Sequence, residues 1–183
     1  MKKLILLSAV IILALIIAWR LQPNPDGSTV DDKEVKAAGT FDECVKEGNP
    51  VLESYPPSCR TKEGKLITQN IGNENTLNDK IKIISPRPVE KIVSPLKITG
   101  EARGNWFFEA QFTAKLLGEK GEIIGEGIMT TDKEWMTEKF VPFSGEIEFV
   151  ASSSAKGKLI LEKANPSGLT ENDETLIVPV LLR

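Results

Sequence analysis

The chain has 183 residues, a formal net charge of −3 and no histidine. With 27% charged and 40% hydrophobic residues, its composition is ordinary for folded domains and excludes disorder of the whole chain. The lack of histidine removes the commonest general base and the usual ligand of zinc. The composition therefore favours a protein that binds over an enzyme, and it predicts no metal or other cofactor.

The N-terminal segment has the charge order of an export signal. Lys2 and Lys3 precede an apolar run over residues 4–19, and Arg20 closes it. As a helix the run is about 24 Å long, against a bilayer core of roughly 30 Å. Because no small-x-small cleavage pair follows closely, we predict that residues 1–20 are a signal anchor, a transmembrane helix that leaves the rest extracytoplasmic. A cleaved signal peptide is the alternative.

The exported part is acidic. Lys2, Lys3 and Arg20 lie in or beside the apolar run, so 20 basic and 26 acidic residues remain and the net charge is −6. Nucleic acids and anionic membrane surfaces both require a concentrated basic face. We therefore expect no nucleic acid partner, and contact with the membrane only through the N-terminal helix.

Residues 21–40 are polar and rich in proline and glycine, which predicts a flexible linker. Residues 41–72 form a small module with both cysteines, Cys44 and Cys59. In an exported chain the default is a disulfide, and a loop of this size contributes about 3 kcal/mol to stability. A metal site is a poor alternative, since two thiolates leave zinc half-coordinated. Within the module we predict one strand, over residues 66–69.

Residues 73–80 are a second polar linker, and the pattern then changes to short alternating strands. The clearest alternation, over residues 108–116, points Phe108, Phe112 and Leu116 one way and Glu109 and Lys115 the other. Seven strands are predicted, at about 81–83, 96–102, 108–116, 124–128, 143–149, 159–161 and 176–182. No segment within residues 81–183 predicts a helix. The fold class is therefore all-β, a two-layer antiparallel β-sandwich over residues 81–183.

Several ordered motifs within residues 83–180 resemble a known bacterial family. They are Ser85-Pro-Arg-Pro, SPLKITGEARGNWFFE at 94–109, EWMT at 134–137, FVPF at 140–143 and LEKANPSG at 161–168. The segment is similar to the immunoglobulin-like domain of spore-germination proteins, which is often joined to GerMN modules. The resemblance implies an immunoglobulin-like β-sandwich in a membrane-bound or secreted protein, and no catalytic site. This chain departs from the usual arrangement in having no GerMN module beside the sandwich.

Two loops supply candidate contact residues. Arg103, Asn105 and Trp106 fall between the second and third predicted strands, and Trp135 falls in another loop. Arginine and tryptophan on neighbouring loops are typical of contact patches in binding modules. In the alternative interpretation both tryptophans close the ends of the core, and Arg103 pairs with a carboxylate such as Glu109.

The third candidate is the polar loop over residues 165–174, in which we single out Asn165, Asn172 and Asp173 for binding. Its oxygen-rich side chains also fit calcium, together with an acidic residue from 132–134, although the spacing is not that of a twelve-residue calcium loop. The same residue types are common in any tight surface turn.

These features predict a membrane-anchored, extracytoplasmic module of the bacterial cell envelope that binds or scaffolds an envelope protein or glycan. One alternative is a carboxylate-based envelope hydrolase, since Glu146 and Glu148 lie on the same face of one strand. Their alternation also fits the solvated face of a sheet. The other alternative is a structural spacer for a neighbouring subunit.

Overall fold

The computed structural model describes residues 39–150 and 155–183, all of which lie in one compact unit. The predicted anchor and nearly all of the first linker lie outside the described residues. Within the described part, no helix is long and apolar enough to cross a membrane.

The cysteine module (residues 41–72) consists of one helix and a small antiparallel sheet. Helix α1 (Phe41–Lys46) is followed by β1 (Val51–Leu52), β2 (Ser58–Arg60) and β3 (Leu66–Thr68), in the order β1-β2-β3. Cys44 and Cys59 form the predicted disulfide, which ties α1 to β2 with a Cα–Cα distance of 6.1 Å. Both cysteines are fully buried, and Phe41 and Ile67 pack against them. The bridge is thus the centre of the module's small core.

Helix α1 and two of the module's three strands were missed by the sequence prediction. The signal for α1 is a capping box: Glu43 N donates to Thr40 Oγ1 at 3.2 Å, and Thr40 N donates to Glu43 Oε2 at 3.0 Å. The prolines between the cysteines do not interfere, because the first of them, Pro50, follows the helix.

The second predicted linker contains a short helix, α2 (Glu74–Leu77), and eight strands follow it. They are β4 (Ile81–Ser85), β5 (Lys91–Ile92), β6 (Leu96–Arg103), β7 (Gln111–Leu117), β8 (Ile123–Thr130), β9 (Phe140–Ile147), β10 (Lys156–Glu162) and β11 (Thr175–Leu182). The strand missing from the prediction is β5, whose two residues are too few to show a period.

The strands follow the order β4-β6-β9-β8-β7-β10-β11-β5. β8 and β9 pair at Thr130 and Ser144, and this narrow link divides the ladder into a three-stranded layer (β4-β6-β9) and a five-stranded layer (β8-β7-β10-β11-β5). All pairs are antiparallel except β5 with β11. At the seam the backbones run close together: a Cβ added at Gly125 would lie 2.7 Å from the backbone oxygen of Glu148. The predicted all-β sandwich is confirmed.

The core lies between the two layers, where inward-facing residues of both layers form one cluster. Phe112 is at its aromatic centre, with edge-to-face contacts to Trp106, Phe107 and Phe143 at centroid distances of 6.4, 5.3 and 4.9 Å. Such pairs add about 0.5–1.5 kcal/mol each beyond the buried area. The other large, fully buried side chains include Ile81, Ile98, Leu116, Met129, Ile147, Leu159, Leu161 and Leu176.

Asn73 joins the chain before the sandwich to the edge of β11. Its side-chain Nδ2 donates to Thr175 O at 2.8 Å, and Ile177 N donates to its Oδ1 at 2.7 Å. Further along the same edge, Val89 N donates to Pro179 O at 2.7 Å, ahead of the β5 pairing. Covering a strand edge in this way prevents pairing with another chain.

Replacing Asn73 with alanine should lower the free energy of unfolding by about 2 kcal/mol, because two backbone groups of β11 lose their partner. Urea denaturation followed by circular dichroism measures the loss. The matched control is Asn75→Ala, at an exposed position of α2. Equal stabilities of the two variants would show that Asn73 does not hold this edge.

A polar cluster around the buried Glu74 fastens the cysteine module to the sandwich. Tyr55 donates its hydroxyl proton to Glu74, whose carboxylate lies 3.2 Å from Arg87 Nη1. Arg87 also donates to the Tyr55 hydroxyl at 2.5 Å and to Ile83 O at 2.7 Å. Burial, followed by the hydrogen bond to Glu74, raises the pKa of Tyr55 to about 12. The phenol therefore stays protonated and donates its hydrogen bond to Glu74.

Candidate functional site

The structure places Trp106, a predicted contact residue, in the core. The residue ends a 3₁₀ turn over Gly104–Trp106 and has no exposed surface. Its backbone carbonyl accepts from Ala164 N at 3.0 Å, while its Nε1 has no hydrogen-bond partner among the described residues. A side chain enclosed in this way cannot contact a partner, so the surface role predicted for Trp106 is corrected to a packing role.

The other residues of the predicted patch lie in two loops that touch, since a Cβ added at Gly104 would lie 2.0 Å from Trp135 O. Arg103 Nε donates to Asp79 O at 2.8 Å and Arg103 Nη1 to Glu138 O at 2.7 Å, and the guanidinium lies 4.2 Å from the Phe140 ring centroid. These contacts replace the expected pairing with a tryptophan or with Glu109. Trp135 is partly buried against the core, and Asn105 is exposed. Arg103 thus connects the two loops, and because Trp106 is fully buried the four side chains do not form one exposed patch.

Substituting alanine for Trp106 should cost about 3–5 kcal/mol of unfolding free energy, the usual loss for a large aromatic core residue. Trp106→Phe should cost far less, because it keeps a ring in the core and the Nε1 that it removes has no partner among the described residues. Chemical denaturation gives both values, with Trp135→Ala as the less buried comparison. If Trp106→Ala were as stable as the wild type, the core assignment would fail.

A groove of about 480 Å³ lies on the outer face of the five-stranded layer, at one end. We call it the Phe108 groove. It is lined by Phe108, Gln111, Phe112, Thr113, Ile128, Glu162, Lys163, Ala164, Asn165, Asp173, Glu174 and Thr175. Two predicted site residues, Asn165 and Asp173, thus belong to it, whereas Arg103, Asn105, Trp106 and Trp135 do not line it.

Phe108 is the groove residue that the sequence prediction placed wrongly. Strand β7 begins at Gln111, and Phe108 lies before it in a tight turn, with 45% of its surface exposed. Phe108 and Gln111 exchange backbone hydrogen bonds of 3.0 and 3.1 Å across the turn. Its central residues, Glu109 and Ala110, have φ values of 51° and 61°, a conformation that usually requires glycine or asparagine. Strain of this kind tends to persist at functional positions.

The loop over residues 165–174 is held by its own side chains. Asn165 Nδ2 donates to Leu169 O at 2.8 Å and to Asp173 Oδ1 at 2.7 Å. Ser167 donates to Asn165 Oδ1 at 2.5 Å and accepts from Asn172 Nδ2 at 3.0 Å. All three predicted loop residues therefore belong to one network, which fixes this wall of the groove. Among the described residues, no group of three or more acidic or cysteine side chains is arranged to hold a metal ion.

The carboxylates of the groove are mostly neutralised. Glu162 pairs with Lys115 at 2.7 Å, and Glu174 pairs with Lys80 and, at 3.5 Å, with Lys163. The hydrogen bond from Lys80 is the main cause that lowers the pKa of Glu174, and the hydrogen bond to Glu162 raises the pKa of Lys115. Asp173 has no ion-pair partner within the described part of the chain. The groove is thus polar but close to neutral.

Glu146 and Glu148, the carboxylate pair considered for hydrolysis, are both exposed. Neither lines the Phe108 groove. Their positions are those of the solvated face that the alternation of the strand indicates.

The Glu174 ion pairs should make stability depend on acid pH. Because its folded-state pKa lies below the ordinary pKa of a glutamate, Glu174 stabilises the fold fully above that ordinary pKa and loses its contribution as the pH falls through the folded pKa. Glu174→Gln should therefore cost about 0.5–1 kcal/mol near pH 7 and less near pH 3. Urea titrations at the two pH values measure this, with Glu171→Gln in the same loop as the control. A cost that did not change with pH would contradict the assignment.

Comparison with known proteins gives one finding. The family model Gmad2, described as the immunoglobulin-like domain of bacterial spore germination, matches residues 80–168. The matched segment begins just before β4 and ends within the loop that walls the groove. No curated protein and no solved structure matches the chain. The family resemblance indicated by the sequence motifs is therefore confirmed.

Proposed function

Residues 80–168 belong to the immunoglobulin-like domain family of bacterial spore germination, and we propose that the chain uses this domain as a membrane-anchored binding module of the cell envelope. The module works outside the cytoplasm and holds an envelope partner in the Phe108 groove.

The extracytoplasmic location is supported by two features of the chain. The N-terminal twenty residues have the order of an export signal, two lysines followed by an apolar run. The buried Cys44–Cys59 disulfide is of the kind that forms and persists in oxidising compartments. The disulfide thus supports the location independently of the N-terminal segment.

Binding is supported above all by the position of Phe108. The ring is 45% exposed although the aromatic residue before it and the next one in β7 are buried, and it lies beside a groove with fixed polar walls. Aromatic residues at the edge of a preformed concave site are frequent anchors for a partner. The hydrogen-bonded loop over residues 165–174 reduces the ordering cost of such binding.

A photo-crosslinking residue placed at position 108 of the full chain in living cells tests this proposal. The matched control is position 136, since Met136 is 75% exposed and does not line the groove. We expect one discrete adduct from position 108, identified by mass spectrometry, and none from position 136. Identical adducts from both positions, or none from position 108, would contradict binding in the groove.

The location has its own test. A tag placed after Arg183 should be digested when protease is added outside intact spheroplasts, while a cytosolic marker survives. Protection of the tag would contradict the proposed location, whatever the crosslinking result.

A further inference from the structure

We propose that the ligand of the Phe108 groove is an uncharged carbohydrate chain, with one sugar ring stacked on Phe108 and its hydroxyl groups bound by the polar walls. This inference rests on the proposed binding function and adds the chemical class of the ligand.

The apolar part of the groove is a strip that contains two exposed side chains. Phe108 and Ile128 are 45% and 48% exposed, and Ala164 also lines the groove. Such a strip matches the C–H face of one pyranose ring, which is apolar and about as wide as a phenyl ring. Because Phe108 is carried by a tight turn closed by two backbone hydrogen bonds, the ring is already positioned before a ligand arrives.

The rest of the lining combines hydrogen-bond donors and acceptors. Gln111 carries an amide, Thr113 and Thr175 carry hydroxyls, and Asp173 carries a carboxylate. Sugar hydroxyls both donate and accept, so each needs mixed partners of this kind. Asn165 and Asp173 are already oriented by the 2.7 Å hydrogen bond between them.

The charge of the groove disfavours an anionic ligand. Lysines neutralise Glu162 and Glu174, which leaves Asp173 as the lining carboxylate without an ion pair among the described residues. An anionic polymer would meet this carboxylate with no free cation beside it, because Lys163 is held by Glu174 at 3.5 Å. An uncharged chain of hydroxyls can donate to Asp173 without any counter-charge.

The strand topology disfavours an extended peptide. A peptide that binds by strand addition needs a free sheet edge. The four groove-lining strands, β8, β7, β10 and β11, lie next to one another in the sheet, and each has a neighbouring strand on both sides. The groove volume of about 480 Å³ lies within the usual range of small-ligand sites, roughly 300–1,000 Å³. The site therefore fits a few sugar units better than a strand.

The test is isothermal titration of the full chain, solubilised in a detergent without a sugar headgroup, which would otherwise compete. The probes are neutral β-1,4-linked tetramers of N-acetylglucosamine and of glucose, with tetragalacturonate as the anionic comparison. We expect saturable binding of a neutral tetramer, about tenfold weaker in Phe108→Ala and retained in Phe108→Trp. Met136→Ala, the exposed control, should bind like the wild type, and tetragalacturonate should bind more weakly.

The possible failures are distinguishable. If neither neutral tetramer binds while the crosslink from position 108 persists, the carbohydrate inference is overturned and the proposed function stands. If the crosslink is also absent, both are overturned. Tighter binding of tetragalacturonate, or an equal loss in Phe108→Ala and Met136→Ala, would also overturn the inference.

Discussion

The packing of three aromatic side chains around the core of the sandwich determines the shape of its candidate site. Trp106, Phe107 and Phe112 are all buried, with Phe112 in edge-to-face contact with the other two rings. Because they are so close in sequence, the chain must leave the core after Phe107 and re-enter it at Phe112. The tight turn between these two residues places Phe108 on the surface. Because the turn is so tight, Glu109 and Ala110 adopt the left-handed backbone conformation.

The groove depends on this turn and on contacts that come from distant parts of the chain. Its opposite wall is a loop stabilised by Asn165 and Asp173, and Lys80, which precedes β4, pairs with Glu174 at the end of that loop. The edge of β11 beside it is covered by Asn73. The polar cluster of Tyr55, Glu74 and Arg87 ties the cysteine module to the same body, so that the disulfide-linked segment and the sandwich form one unit.

The sequence predicts the features that depend on local pattern or on simple chemistry. Alternation locates seven of the eight sandwich strands, and the two cysteines pair as expected. The position of Phe108 could not be predicted in this way. The alternation of β7, extended back along the chain, assigns Phe108 to the inward face, and only the turn at Glu109 and Ala110 brings it to the surface. The groove depends on side chains brought together from β7, β8, β10 and β11, which no short motif records. Trp106 was misplaced in the opposite direction. A large aromatic residue in a loop suggests contact with a partner, and only the packing of the fold shows that Trp106 belongs to the core.

The central claim is that the chain buries Trp106, Phe107 and Phe112 and exposes Phe108. Hydroxyl-radical footprinting of the native full chain, read residue by residue by mass spectrometry, tests it most directly. We expect oxidation of Phe108 and protection of Trp106, Phe107 and Phe112, even though the intrinsic reactivity of tryptophan exceeds that of phenylalanine. Oxidation of Trp106 together with protection of Phe108 would contradict it.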